Sequence, residues 1–280
     1  MVQRRLTGNQ ARRGTPTAAL LVAVFLSTLL ATAARPATDL PEVTARGSLR
    51  VLVVLDLPRP EFFSTDATRP GFDREIVEGF ANLHRLKLDV ITLPSFDDLI
   101  PALLAGKGDV IVGGYRDSAD RRRSIGFTTE VFPNRMVIVT IKPHRVVRTV
   151  EELRQERVGT TRGTALIEAL KVAGLPQENL DDEVPLGAYP QALHSGRITA
   201  AAWSVERALP AQREDPTIQL GMYIGEPGSL AFGVRKEDSQ LLSALNVYIE
   251  NTRKAGTWNR LVVKYFGQNA LEILHAAASK

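Results

Sequence analysis

Leu49-Arg50-Val51-Leu52-Val53-Val54-Leu55, residues 49–55, is the stretch that decides the fold. All but Arg50 are apolar, and the valines are β-branched. A run without polar alternation suits a strand buried on both faces, as in a parallel sheet. Downstream, Gly71-Phe72-Asp73 precedes a segment, 74–86, in which Ile76, Val77, Phe80, Ala81 and Leu83 recur at helical spacing, with Asp73 expected as the N-cap. A second strand is expected at 88–93 and a short helix at 96–105, ended by Gly106. A third strand follows at 109–112. Strand, helix, strand, helix, strand is an α/β unit on a parallel sheet.

After an extended apolar run at 136–141 the pattern restarts. Helices are expected at 150–155, 164–173, 190–194 and 204–212, with strands at 157–160 and 200–203. One more strand at 231–235 precedes amphipathic helices at 238–252 and 257–265. The chain therefore holds two α/β units with neither an internal repeat nor a flexible linker between them. Ligands of open α/β sheets sit beyond the carboxyl ends of the strands, so two facing lobes place a site in the cleft between them.

Hydrophobic residues are 44 % of the 280 and charged residues 24 %, a globular composition. The formal charge of +4 is misleading, because Arg4, Arg5, Arg12 and Arg13 sit in a stretch, 1–33, that has no acid. Without these four, the basic residues equal the 31 acidic ones. Such a balance argues against a nucleic-acid binder, which carries a broad basic face, although a local basic patch is compatible with it. The same N-terminus has the form of a secretory signal: basic residues, an apolar run at 18–30, then Ala31-Thr32-Ala33-Ala34, with cleavage expected near Ala33. The run is short for a membrane span, an uncleaved anchor being the alternative. Residues 34–47 read as a linker. With no cysteine, the exported chain depends on its core alone and has no thiol for a lipid, which points to the periplasm.

In order along the chain come Leu49-Arg50-Val51, Gly71-Phe72-Asp73-Arg74-Glu75, Leu99-Ile100-Pro101-Ala102-Leu103 and Gly106-Lys107-Gly108-Asp109-Val110. Next are Ala119-Asp120-Arg121 with Phe127-Thr128, Val158-Gly159 with Gly163-Thr164, and Gly196-Arg197-Ile198. Phe232-Gly233-Val234-Arg235-Lys236 and Lys264-Tyr265-Phe266-Gly267 complete the series. In this order the segments resemble the bacterial extracellular solute-binding proteins of family 3, receptors for polar amino acids that serve ABC importers. The resemblance implies a two-lobed periplasmic-binding-protein fold of type II. It places lobe 1 at 48–138 plus 231–280 and lobe 2 at 139–230. It also implies a monomer with a membrane permease as partner, and neither metal nor cofactor.

The resemblance assigns Arg121 to the ligand's α-carboxylate, a role suited to a planar, permanently charged guanidinium. The alternative is that Arg121, Arg122 and Arg123 form a solvated basic turn. Gly163 and Thr164 would meet the same carboxylate at a helix N-terminus, with plain capping as the alternative. Phe62 and Phe63 lie near a ligand-covering aromatic, or else pack the core. Gly114, Arg116 and Ser118 stand where small hydroxyl residues and a threonine are usual, and Ser204 stands where an ammonium-binding acid is usual. A second cation at Arg116 and no acid at Ser204 favour a carboxylate-bearing solute other than an ordinary α-amino acid.

Two other functions compete. A ligand-sensing subunit would resemble the input domain of a murein lytic transglycosylase or a sensor, with a likeness carried by 204–218. With the sequence ending soon after Gly267, a free-standing subunit without a further catalytic or membrane domain is the form expected of such a sensor. An enzyme of the cyclohexadienyl-dehydratase kind would share the fold. The sequence has no Gly-x-Ser-x-Gly elbow and no His-Glu-x-x-His, and His84, His144, His194 and His275 are scattered.

Overall fold

In the computed structural model, which describes residues 39–54, 60–66, 68–162, 164–185 and 187–278, the run at Leu49 forms β1 (Ser48–Val53). It lies between β2 (Lys87–Thr92) and β3 (Val110–Ile111), parallel to both. Arg50, the one charge in the run, reaches Asp109 at 2.7 Å, and Arg46 approaches the same fully buried carboxylate. A charge can stay beside the core there because its partner is fixed. Two short antiparallel strands, β5 (Gly126–Phe127) and β11 (Gly233–Val234), complete a five-stranded sheet of order β2-β1-β3-β11-β5.

The helix that follows β1 is α2 (Phe72–Leu83), and α1 (Leu40–Arg46) precedes the strand. The latter lies in the stretch read as linker. Asp39 caps it, Pro41 suits its first turn and Val43 is buried, so a short polar composition concealed a helix. Asp73 is not the N-cap of α2. Gly71 holds that position at φ 98°, where an added Cβ would lie 2.6 Å from the Phe62 carbonyl. The segment at 96–105 divides into a 3₁₀ turn (Phe96–Asp98) and α3 (Leu99–Leu104).

The second sheet has six strands, of order β4-β10-β6-β9-β7-β8. They are β4 (Arg116–Asp117), β6 (Phe132–Ile141), β7 (Val158–Gly159), β8 (Leu180–Asp181), β9 (Ala200–Ser204) and β10 (Ile218–Leu230). The antiparallel pair β6 and β10 forms its backbone. Sequence reasoning saw the end of β6 but missed β10, because Gly221, Gly225, Pro227 and Gly228 interrupt it and two register shifts absorb them. Around this sheet and after it come α5 (Val150–Leu153), α6 (Ala165–Val172), α7 (Tyr189–His194) and α8 (Val205–Glu214). The chain continues through α9 (Ser239–Lys254), α10 (Thr257–Phe266) and α11 (Ala270–Ala278).

The chain passes from β5 to β6 and from β10 to β11, and these two passages run side by side. Thr128 N–H donates to the Phe232 carbonyl at 2.9 Å, and Phe232 N–H donates to Thr128 Oγ1 at 3.0 Å. Val131 N–H donates to Leu230 O at 2.9 Å, and Ser229 Oγ donates to Glu130 at 2.8 Å. Trp258 Nε1 and Arg253 tie Val131 and Glu130 to α10 and α9. The first passage covers 128–131, and β6 then runs unbroken from Phe132 to Ile141.

Phe62 packs edge-on against Phe72 and Phe132 and tilts against Phe266, with ring centroids 5.2–6.3 Å apart. It is 1 % exposed, and Phe63 is 5 % exposed. Both rings belong to the core, where edge-to-face aromatic packing adds to their burial. The expected signal peptide and the first residues of the expected linker lie outside the described residues.

Candidate functional site

Beyond the C-terminal ends of β2 and β3, an open cleft of about 510 Å³ is lined by Phe96, Gly114, Arg116, Ser118, Asp120 and Arg121. This is where an α/β sheet presents its loops to a ligand. Four of the expected residues, Gly114, Arg116, Ser118 and Arg121, meet here.

The wall that carries them is held from behind. Asp73, buried in the first turn of α2, accepts N–H from Gly113 at 2.9 Å and from Gly114 at 2.7 Å. Both glycines have positive φ (95° and 68°), a bend that costs a residue with a Cβ more than it costs glycine. The Tyr115 carbonyl then accepts from Ala231 N–H at 2.9 Å, so the second interlobe passage touches the cleft wall. From there β4 leads into α4 (Ala119–Arg122), a single turn capped by Ser118, whose Oγ accepts the Arg121 N–H at 3.4 Å.

This turn sorts three consecutive arginines. Arg122 forms a two-pronged pair with Asp117, one arm at 2.6 Å, and Arg123 pairs with Asp120 at 3.2 Å. Arg121 does neither. Its Nη1 donates to the Arg116 carbonyl at 2.7 Å, and its guanidinium lies 4.0 Å from the centroid of the Tyr115 ring and 5.9 Å from that of Phe96. Among the described residues neither Arg121 nor Arg116 has a carboxylate partner. Arg122 and Arg123 are thus paired within the turn, whereas Arg121 is stacked on Tyr115.

The remaining expected residues lie elsewhere. Thr164 precedes α6 with its hydroxyl turned back to donate to the Thr161 carbonyl at 2.7 Å, and Gly163 lies outside the described residues. Ser204 ends β9 opposite Met136 and opens α8 without a side-chain cap bond. Every described residue that lines the cleft falls between 96 and 121. Phe62 and Phe63 are core rings, as described above. Glu206, two residues after Ser204, is buried in the first turn of α8.

Sequence reasoning missed Phe96 and the part played by Tyr115. Phe96 stacks on Tyr115 at 6.1 Å, and Tyr115 stacks on Phe127 at 5.8 Å. The available signal was position, since Phe96 follows the end of β2, in a loop that a parallel sheet places at its ligand edge. Burial raises the Tyr115 phenol above its ordinary pKa, Arg121 opposing and Asp97 adding to the effect, so the ring beneath the guanidinium is neutral.

The chain as a whole is similar to several known proteins. A probable histidine-binding protein of Campylobacter jejuni subsp. jejuni serotype O:2 is 25 % identical over 211 residues, 74 % of this chain and 80 % of that protein. Membrane-bound lytic murein transglycosylase F of Stutzerimonas stutzeri is 26 % identical over 255 residues, 88 % of this chain but only 52 % of that protein. Among solved structures, the substrate binding protein of an amino acid ABC transporter is 25 % identical with a TM-score of 0.57, covering 79 % of this chain and 100 % of that one. The family model for bacterial extracellular solute-binding proteins, family 3, matches residues 49–268. With that span matched and two α/β sheets joined by paired passages, the chain belongs to the family 3 solute-binding proteins.

Proposed function

We propose that the protein is a periplasmic receptor that binds a small carboxylate-bearing solute at Arg121 and presents it to an ABC-type permease. The observation that carries this reading is the sorting of arginines on α4. Arg122 and Arg123 are each matched to a carboxylate, whereas Arg121 lines the cleft and, among the described residues, is held by the Arg116 carbonyl and by aromatic faces with no ion pair. An unneutralised guanidinium in a recess is a receptor for an anion, because its parallel N–H donors fit a carboxylate. Arg116 on the same wall adds a second positive charge, and the absence of an acid at Ser204 removes the usual partner of an ammonium.

In this reading the first lobe is 48–138 plus 231–280 and the second is 139–230. Solute held at Arg121 recruits the N-terminus of α6 near Gly163 and Thr164 from the other lobe. The solute favours closure by as much as it binds the closed state better than the open one. The described residues that line the cleft have the character of a binding site, with Ser118 Oγ engaged by the Arg121 N–H and Asp120 paired with Arg123, and binding without catalysis is the function we assign.

A thermal-shift screen of the mature chain against amino acids, dicarboxylates and muropeptides tests this. A true ligand at ~100 Kd should add ~2.7 kcal/mol of stability. Stabilisation by carboxylates that disappears in Arg121→Ala supports the reading, and stabilisation that survives the substitution refutes it. The match that spans 88 % of this chain within a murein transglycosylase favours one second reading, a sensing subunit. Stabilisation by muropeptides and by no free amino acid or dicarboxylate would select it.

A further inference from the structure

We propose that Tyr115 is a positioning residue that holds Arg121 ready for an anion by offering the guanidinium a π face in place of a counter-ion. The proposal rests on the reading of Arg121 as the anion receptor. A guanidinium beside a carboxylate is held, but its charge is spent. A guanidinium over a ring is held by the ring's quadrupole, and its N–H edge stays available. The structure contains both arrangements on one helical turn. Arg122 is neutralised by Asp117, while Arg121 lies 4.0 Å from the Tyr115 centroid.

Tyr115 is unusually well fixed for this task. It is 1 % exposed and stands between Phe96 and Phe127, with interplanar angles of 26° and 18°. Its carbonyl is bound by Ala231, and the preceding glycine is bound by Asp73. Among the described residues the buried phenol hydroxyl makes no hydrogen bond. The ring face is therefore the functional part of the side chain, and phenylalanine should replace it whereas leucine should not.

The test is side-chain NMR of the arginine Nε–Hε groups in the full mature chain, with acetate as the probe anion. The resonance assigned to Arg121 by its loss in Arg121→Lys should be shifted upfield by the ring. It should remain so in Tyr115→Phe and move toward the unshifted position in Tyr115→Leu. Acetate should then perturb that resonance with an affinity about tenfold weaker in Tyr115→Leu than in the parent or Tyr115→Phe, equivalent to ~1.4 kcal/mol. An Arg121 signal with no ring shift in the parent, or one unchanged in Tyr115→Leu, overturns the proposal. Should Tyr115→Leu fail to fold, the parent and Tyr115→Phe spectra still decide it. A ring-shifted Arg121 that acetate never perturbs would leave the tyrosine's hold on the side chain intact and overturn its role in anion binding together with the receptor reading.

Discussion

Asp73 accepts the backbone N–H of Gly114 at 2.7 Å, joining the first turn of α2 to the wall of the cleft. The same oxygen accepts from Gly113 at 2.9 Å. An acid that the sequence suggested as a helix cap instead shapes the bend from which Tyr115 and Arg116 project. Replacing it with alanine should leave two buried donors unpaired, at a cost of ~1–3 kcal/mol each. Urea unfolding should show Asp73→Ala losing roughly twice what Asp73→Asn loses, since the amide keeps an acceptor oxygen. Equal losses would mean that the paired N–H groups are not what Asp73 stabilises.

Arg121→Ala should weaken solute binding by ~2–4 kcal/mol, because the bound anion loses its partner in a desolvated recess. Arg122→Ala should leave affinity within twofold, its guanidinium being committed to Asp117. Calorimetric titration with whichever solute stabilises the parent protein checks both. Equal effects of the two substitutions would point to general electrostatic attraction and not to a specific contact.

Asp109 should be the costliest surface-distant acid to remove. It is fully buried, bonded to Arg50 at 2.7 Å and approached by Arg46, with Arg235 at 3.9 Å. Asp109→Asn leaves Arg46 and Arg50 without their charge partner, whereas Arg235 keeps Asp238 at 2.6 Å, for an expected loss of about 3 kcal/mol. Chemical denaturation measures it, and a loss under 1 kcal/mol would show that solvent reaches the arginines.

Alkaline pH should destabilise the fold. Burial raises the phenol pKa of Tyr115, Tyr223, Tyr248 and Tyr265, with the Glu75 carboxylate adding to the effect at Tyr265. A group raised in the folded state contributes stability that is complete below its unfolded pKa, about 10 for tyrosine, and lost as pH climbs through the folded value. Urea midpoints should therefore be level up to about pH 9 and fall above 10, less steeply in Tyr115→Phe. Absorbance at the phenolate band should rise with unfolding and not before it.

Much of this was legible in the chain itself, for identifiable reasons. β1, α2, α9 and α10 announce themselves because burial on one face or both imposes a period on the residues. The family resemblance, with its register set by Phe127-Thr128, pointed to Arg121, and Arg121 lines the cleft. The long strand β10 could not be read, since its glycines and Pro227 are tolerated only by the pairing with β6, which is a tertiary fact. Phe96 and Tyr115 are similar. A phenylalanine just ahead of the apolar helix α3 looks like core, and only the packed sheet brings it to 6.1 Å from a tyrosine on another loop.

An arginine that lacks a resident acid does not wait empty in salt water. Arg121 and Arg116 face an open recess, and small ions from the medium will visit both. On the proposed reading, uptake of solute exchanges one anion for another, so apparent affinity should decline as chloride or sulfate is raised, by more than screening alone accounts for. Constants measured in different buffers will disagree, and the disagreement will itself report how well the incoming solute outcompetes the ions it displaces.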